Sequence, residues 1–219
     1  MPVERKKIVK SYLLLCEGRD AEGFMINYLE SKALAYEQRF SNDIQVLDFG
    51  GNEDLDSFLL SLKNMDRFSR VTNLAVVRDA ETNYEKACQS VAGSLKRCGF
   101  ASPGNEGMWV CNDAGLNTGY LLFPLNHKAG TLEDLCLQIL SESNNKDILS
   151  SVDTFLETME NSYGRIFHRK HKNKLHTYLS TNDKYVTMPL GLASKAGAFN
   201  WDSVCLDPLK CFLEDGFNL

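Results

Sequence analysis

Apolar runs in the first half of the chain alternate with segments whose apolar residues recur at helical spacing. The runs are "SYLLLC" (11–16), "DIQVLDF" (43–49) and "NLAVVRD" (73–79). Two of them are almost continuously apolar, which is typical of strands buried on both faces of a sheet. Amphipathic helix patterns follow them, near Phe24, Leu55 and Tyr84. This order predicts an α/β fold with a mostly parallel sheet covered by helices.

The second half of the chain contains two further strand patterns and then only helix patterns. "MWVC" (108–111) and "GYLLFPL" (119–125) predict strands, and "GTLEDLCLQIL" from Gly130 predicts a helix. From about residue 144 onward the periodicity is helical. We therefore predict an α/β core over residues 1–143 and a helical C-terminal extension over residues 144–219 that packs on the core.

Composition and cysteine usage indicate a soluble protein of the cytoplasm. The chain has 219 residues, of which 43% are hydrophobic and 24% charged, as in ordinary globular proteins. Its seven cysteines are odd in number and contain no CxxC pair, which favours reduced thiols. No stretch has the apolar length that a signal peptide or a membrane span needs, so we expect a cytoplasmic protein without a membrane partner.

Acidic residues follow two of the predicted strands. Glu17 and Asp20 come after the first strand, and Asp79 and Glu81 come after the third. Ligands of open α/β sheets lie at the carboxyl ends of the strands, and the D-x-E spacing directs alternate side chains of an extended segment the same way. Carboxylates alone favour Mg²⁺ or Mn²⁺, ions that neutralise phosphate and activate water. Alternatively, each acid caps the helix that follows it.

The two acidic motifs also carry a resemblance to a known family. "CEGRD" (16–20) and "RDAET" (78–82) resemble the Toprim fold of topoisomerases, bacterial primases and overcoming-lysogenization-defect nucleases. The chain is similar to an uncharacterised bacterial Toprim-related family in four further stretches. These are "FGGNEDL" (49–55), "LLFPLNHKAGTLEDL" (121–135), "KLHTYLS" (174–180) and "PLGLASKAGAFNWDSVCLDPLKCFL" (189–213).

The resemblance implies roles for four acidic residues. Glu17 would be a metal ligand or a general acid/base. Asp79 and Glu81 would be the D-x-D pair of the fold, although Glu81 is one methylene longer than the second aspartate of that motif. Glu133 would supply a further metal ligand, as in the nuclease branch. Alternatively, Glu133 only complements the dipole of the helix that it begins.

Two other stretches are candidates for phosphate or nucleic-acid binding. Gly50 and Gly51 follow the second strand, where their backbone N–H groups could approach a phosphate or simply form a turn with positive φ. The segment "RIFHRKHKNKLH" (165–176) is strongly basic in a chain of net charge −5. Its residues Arg169, Lys170, Lys172 and Lys174 could bind a phosphate backbone, or they form a solvated helix face.

Two classes of function follow from these residues. The first is a Mg²⁺- or Mn²⁺-dependent, nuclease-like enzyme that acts on phosphodiester bonds of nucleic acid. The second is a non-catalytic module that binds a metal, a nucleotide or a protein. Phosphoaspartate chemistry fits less well, because "DAET" (79–82) lacks the spacing that it requires.

Overall fold

The computed structural model describes residues 7–31, 43–142 and 145–217. Within these ranges one sheet is formed by β1 (Tyr12–Cys16), β2 (Ile44–Asp48), β3 (Asn73–Asp79), β4 (Trp109–Cys111) and β5 (Asn117–Phe123). The strand order is β2-β1-β3-β5-β4. Every neighbouring pair is parallel except β4 with β5. The predicted mostly parallel α/β sheet is therefore confirmed.

Eight helices of the described residues surround the sheet. They are α1 (Gly18–Leu29), α2 (Leu55–Lys63), α3 (Tyr84–Arg97), α4 (Leu132–Glu142), α5 (Lys146–Tyr163), α6 (Lys170–Ser180), α7 (Leu190–Lys195) and α8 (Asp207–Phe217). Residues 145–217 contain no strand, which confirms the predicted helical C-terminal segment. The predicted boundary at residues 143–144 lies outside the described residues, so the division into two units remains a prediction.

The sheet is buried on both faces because its central strands are apolar at successive positions. In β3, Leu74 and Val76 point into one hydrophobic cluster, with α2 and α3. Ala75 and Val77 point into the other, with α1, α4 and the C-terminal helices. Alternate side chains of a strand face opposite sides of a sheet, so a continuous apolar run supplies both clusters.

The C-terminal helices cover one face of the sheet. Phe217 of α8 stacks on Tyr12 of β1, with ring centroids 5.3 Å apart, and Phe212 stacks on Trp109 of β4 at 4.7 Å. Leu175 of α6 is fully buried in the same cluster. The segment after residue 145 thus completes the core on this face.

The largest difference from the predicted elements is at β5, which begins two residues earlier than expected and ends at Phe123 rather than residue 125. Pro124 follows, and it has no backbone N–H with which to extend the ladder. No helix of the described residues is long and apolar enough to cross a membrane.

Candidate functional site

The sheet order brings the ends of β1 and β3 together. Cys16 is in register with Val77, and the Glu17 N–H donates to the Val77 carbonyl oxygen at 3.2 Å. The carboxyl ends of both strands therefore lie at one edge of the sheet. There, the Asp79 N–H donates to Glu17 Oε2 at 3.4 Å, so two of the predicted site residues are in contact.

Glu17 occupies the N-cap position of α1, yet its side chain makes no capping hydrogen bond. Instead, Oε2 lies 3.5 Å from Nε of Arg78, a residue that is almost completely buried. Burial raises the pKa of the Glu17 carboxyl; the Arg78 charge opposes this rise, and the charge of Glu81 adds to it. The side chain thus belongs to a charged cluster rather than to a helix cap.

Asp79 is the most strongly perturbed carboxyl of this cluster. Its Oδ1 accepts a hydrogen bond from the Leu132 N–H at 2.8 Å, at the start of α4. Burial raises the pKa of Asp79 to about 7 against the effect of this hydrogen bond. The negative charges of Glu17, Glu133 and Glu81 make a smaller contribution to this rise. Glu17, Glu81 and Glu133 therefore all act electrostatically on Asp79.

Glu81 does not lie in an extended segment, as the D-x-E spacing had suggested. Its φ is 56°, and its N–H and carbonyl oxygen pair with Gly130 at 2.8 and 2.7 Å. The backbone of the β3–α3 connection is therefore joined to that of the β5–α4 connection. The Glu81 charge still acts on both Glu17 and Asp79, although the reason for its placement is a left-handed turn and not strand alternation.

Glu133 is buried at the start of α4 and forms an ion pair with Lys172. The distance from Lys172 Nζ to Glu133 Oε1 is 2.9 Å. Burial acts to raise the pKa of Glu133, but the hydrogen bonds from Lys172 and Thr131 outweigh it, so that the net pKa is lowered. Burial likewise acts to lower the pKa of Lys172, and its interactions with Glu133 and then Asp79 leave it raised.

The other three predicted basic residues are placed differently from Lys172. Lys170 pairs with Glu160, and Lys174 pairs with Asp153, both at 2.7 Å. These ion pairs join α6 to α5. Arg169 is exposed immediately before α6. The positive charges of the two outer lysines are thus balanced by acids of the same chain.

Asp20 is engaged with another helix rather than with the acidic cluster. Its Oδ1 accepts the N–H of Gly191 at 3.0 Å, which joins α1 to α7. This hydrogen bond explains why residue 20 is acidic, and the explanation does not require a metal ion.

The glycine pair after β2 forms a turn. Gly50 has a φ of 94° and donates its N–H to Asp48 Oδ1 at 2.7 Å. Gly51 donates its N–H to Asp54 Oδ2 at 2.9 Å. A phosphate at these N–H groups would have to displace two carboxylates, so the geometry favours the turn interpretation.

The carboxylates have the oxygen-donor chemistry that Mg²⁺ and Mn²⁺ prefer. As the side chains stand, however, no group of three or more His, Cys, Asp or Glu residues in the described part of the chain is arranged to hold a metal ion. Arg78 and Lys172 instead supply positive charge to the cluster.

Sequence reasoning did not identify Arg78 as part of the site. It is a buried arginine on a central strand, and it also donates hydrogen bonds to Asn52 and Ser90. The signal was present in "NLAVVRD", where one arginine interrupts an otherwise apolar run. A buried charge is costly unless it is paired, so such an arginine predicts a nearby acid.

The fold and the site define an α/β protein with an acidic cluster at the carboxyl edge of a mostly parallel sheet. The chain belongs to the family described as Protein of unknown function (DUF3226), whose model matches residues 11–218. The match extends over every strand of the sheet and the C-terminal helices. Comparisons with curated proteins and with solved structures find no significant match.

Proposed function

We propose that this protein is a Toprim-related, nuclease-like enzyme that uses Mg²⁺ or Mn²⁺ to act on phosphodiester bonds of nucleic acid. The observation that carries the proposal is the environment of Asp79. Its carboxyl lies at the ends of two parallel strands, where burial above all, and then the charges of three other acids, raise its pKa to about 7. Such perturbed groups are characteristic of functional sites.

Repulsion among the carboxylates is the physical reason to expect a cation. Like charges that raise one another's pKa are stabilised when a positive ion lies between them. Glu17, Asp79, Glu81 and Glu133 would hold the ion, which when bound would polarise a phosphoryl oxygen and activate water. Asp20 is the least supported of the predicted ligands, because its carboxylate is engaged with α7.

Positive residues of the chain would bind the phosphate. When Glu133 turns to a cation, the ammonium group of Lys172 is released and can donate to a phosphate oxygen. Arg169 is exposed three residues before Lys172 and extends the positive surface. Lys170 and Lys174 contribute only by exchanging their present acid partners for phosphates.

The test is incubation of the protein with single-stranded, duplex and supercoiled nucleic acids in Mg²⁺, Mn²⁺ or EDTA. We expect metal-dependent cleavage that falls by about 100-fold or more in Glu17→Gln and Asp79→Asn. Glu157→Gln, which changes an exposed acid of α5, is the matched control. Cleavage that persists in EDTA, or equal activity in Glu17→Gln, would remove the proposal.

A non-catalytic binding module is the second candidate, and a specific observation favours it. Arg78 and Lys172 already neutralise part of the acidic cluster, so the site is stable without a metal ion. Binding of Mn²⁺ without cleavage of any of these nucleic acids would establish this second function in place of the first.

A further inference from the structure

A second group of polar side chains lies beside the acidic cluster. Tyr84, Glu106 and His127 line an open cavity of about 440 Å³, together with Cys88 and Tyr120. We call this cavity the Glu106 pocket. Its volume falls within the range of about 300–1,000 Å³ that is usual for small-molecule sites.

Glu106 anchors the pocket. Its side chain is 1% exposed, and its Oε1 accepts the Leu122 N–H at 2.8 Å. Its Oε2 accepts the Tyr84 hydroxyl at 2.9 Å and lies 2.8 Å from Nδ1 of His127. One buried carboxylate thus fixes the orientation of two rings at the cavity wall.

The requirement of β5 for a hydrogen-bond acceptor explains the position of Glu106 but not that of His127. Strand β4 pairs with β5 only as far as Gly119, so the Leu122 N–H requires another acceptor. His127, by contrast, has a φ of 58° and a side chain that is 71% exposed. A strained residue that gains little burial is typical of a functional site. Nδ1 faces both Glu106 and the Tyr84 hydroxyl, and the rest of this largely exposed side chain is accessible to a ligand.

The charges and rings of the wall determine which ligand fits. Glu85 and Glu106 are acidic, and His127 is the one basic residue of the described cavity lining, so an anion is disfavoured. Burial raises the pKa of Tyr84 and of Cys88, so both groups stay protonated and neutral. The partly exposed ring of Tyr84 and the exposed imidazole of His127 favour a flat, uncharged ring that forms hydrogen bonds, whereas Tyr120 is 2% exposed and offers little surface.

We propose that the Glu106 pocket binds a nucleobase. A nucleobase is planar and uncharged, and it carries donors and acceptors on its edge, which matches the wall. The location of the pocket agrees with the proposed function. The proposal rests on that function only for the source of the base. Tyr84 begins α3 three residues after Glu81, and His127 precedes Gly130, which pairs with Glu81. The same two connections therefore carry the pocket and the acidic cluster.

A base in this pocket must be unpaired, because its hydrogen-bonding edge faces the protein. Stacking on aromatic side chains and hydrogen bonds to the pairing edge are the usual means by which proteins bind unpaired bases. The pocket therefore selects single-stranded or locally opened nucleic acid, or a free nucleotide.

The experiment is calorimetric titration of the protein in EDTA with adenosine, guanosine, cytidine and uridine, and with ribose 5-phosphate. Nucleosides carry no phosphate, and EDTA removes metal ions, so the acidic cluster makes no contribution. The test variant is His127→Asn, because asparagine tolerates positive φ. His176→Asn, at an exposed histidine of α6, is the matched control.

We expect at least one nucleoside to bind with a Kd near or below about 1 mM, and His127→Asn to weaken binding by about tenfold. Ribose 5-phosphate should not bind. His176→Asn should bind the nucleosides as tightly as the parent protein does. The proposal is overturned if no nucleoside binds at roughly 10 mM, if ribose 5-phosphate binds as well as the nucleosides, or if His127→Asn binds like the parent protein.

A single-stranded trinucleotide identifies the source of the base. Tighter binding than the nucleoside assigns the pocket to a nucleic-acid strand, and equal binding assigns it to a free nucleotide; both results retain base recognition. The proposed function is tested by a different measurement. It is contradicted when metal-dependent cleavage is absent, whether or not the nucleosides bind.

Discussion

Asp79 makes the stability of the metal-free protein depend on pH. Its pKa is about 7 in the folded protein and about 3.9 in an unfolded chain. Between these values the folded state binds more protons than the unfolded state, so this residue's contribution to stability falls as pH rises from 4 to 7. One pKa unit corresponds to about 1.4 kcal/mol, so a difference of about three units amounts to an effect on the order of 4 kcal/mol.

Asp79→Asn should remove this pH dependence and keep the acceptor for the Leu132 N–H. In EDTA, we expect the variant to be more stable than the parent above pH 7, with a difference that declines to near zero at pH 4. Urea unfolding across this range measures the difference. A difference that does not vary with pH would show that the carboxyl titrates normally.

Lys172 should differ from Lys170 in its importance for stability. The Glu133 side chain is 8% exposed, so Lys172→Gln leaves a buried carboxylate without its ammonium partner and should cost about 1–3 kcal/mol in EDTA. Lys170→Gln breaks a pair whose two side chains are 43% and 31% exposed and should change little. Chemical denaturation of both variants tests this, and equal losses would contradict it.

The sequence predicted contacts between residues on neighbouring strands better than contacts between helices. Glu17 follows β1 and Asp79 is the last residue of β3; because these strand ends meet in any parallel sheet with this order, the proximity of the two residues was predictable. Lys172 was assigned to a nucleic-acid surface because a cluster of positive residues does not reveal which face of the helix packs against α4. Glu106 and His127 were not identified, because each is a single polar residue in a loop.

At the scale of elements, α8 is packed closely against β4. A Cβ on Gly216 would overlap the indole ring of Trp109, and that indole donates its Nε1–H to the Phe212 carbonyl oxygen at 3.0 Å. The Gly216 carbonyl oxygen also accepts hydrogen bonds from Asn73 and Asn117. The helix therefore has little freedom to move away from the sheet.

Gly216→Ala should destabilise the protein by about 1–3 kcal/mol, because the ring and the helix must shift apart. Gly104→Ala is the matched control, since nothing lies within 4 Å of its added Cβ. The free energy of unfolding in urea measures both. Equal free energies of unfolding for Gly216→Ala and Gly104→Ala would contradict the close packing of α8 on Trp109.

The strands and helices that were predicted well have strong periodicity. The three βα units at the start of the chain were recognised because each joins a continuous apolar run to an amphipathic segment. The short β4 was recognised as a strand, but its antiparallel direction depends on which partner it finds. The conformation of Glu81 was not predictable, because its left-handed turn depends on pairing with Gly130, a residue distant in sequence.

At the scale of the whole molecule, a metal ion that binds only the folded state should raise the midpoint of thermal unfolding. The gain is about 2.7 kcal/mol at a hundredfold excess over Kd. We expect Mn²⁺ to stabilise the parent protein and Glu157→Gln, and to have little effect on Asp79→Asn. A thermal shift that survives in Asp79→Asn would place the ion at another site.

The contact between Tyr12 and Phe217 has a consequence for how the protein is made. These two rings are separated by roughly 200 residues of chain, and contacts of such long range form late in folding. While α8 is still inside the ribosome, the sheet has already emerged with the apolar surface around Tyr12 and Trp109 lacking its cover by this helix. Apolar surface that is exposed in this way makes an incompletely folded chain prone to aggregation. The protein therefore completes its fold only after residues 207–217 have left the ribosome.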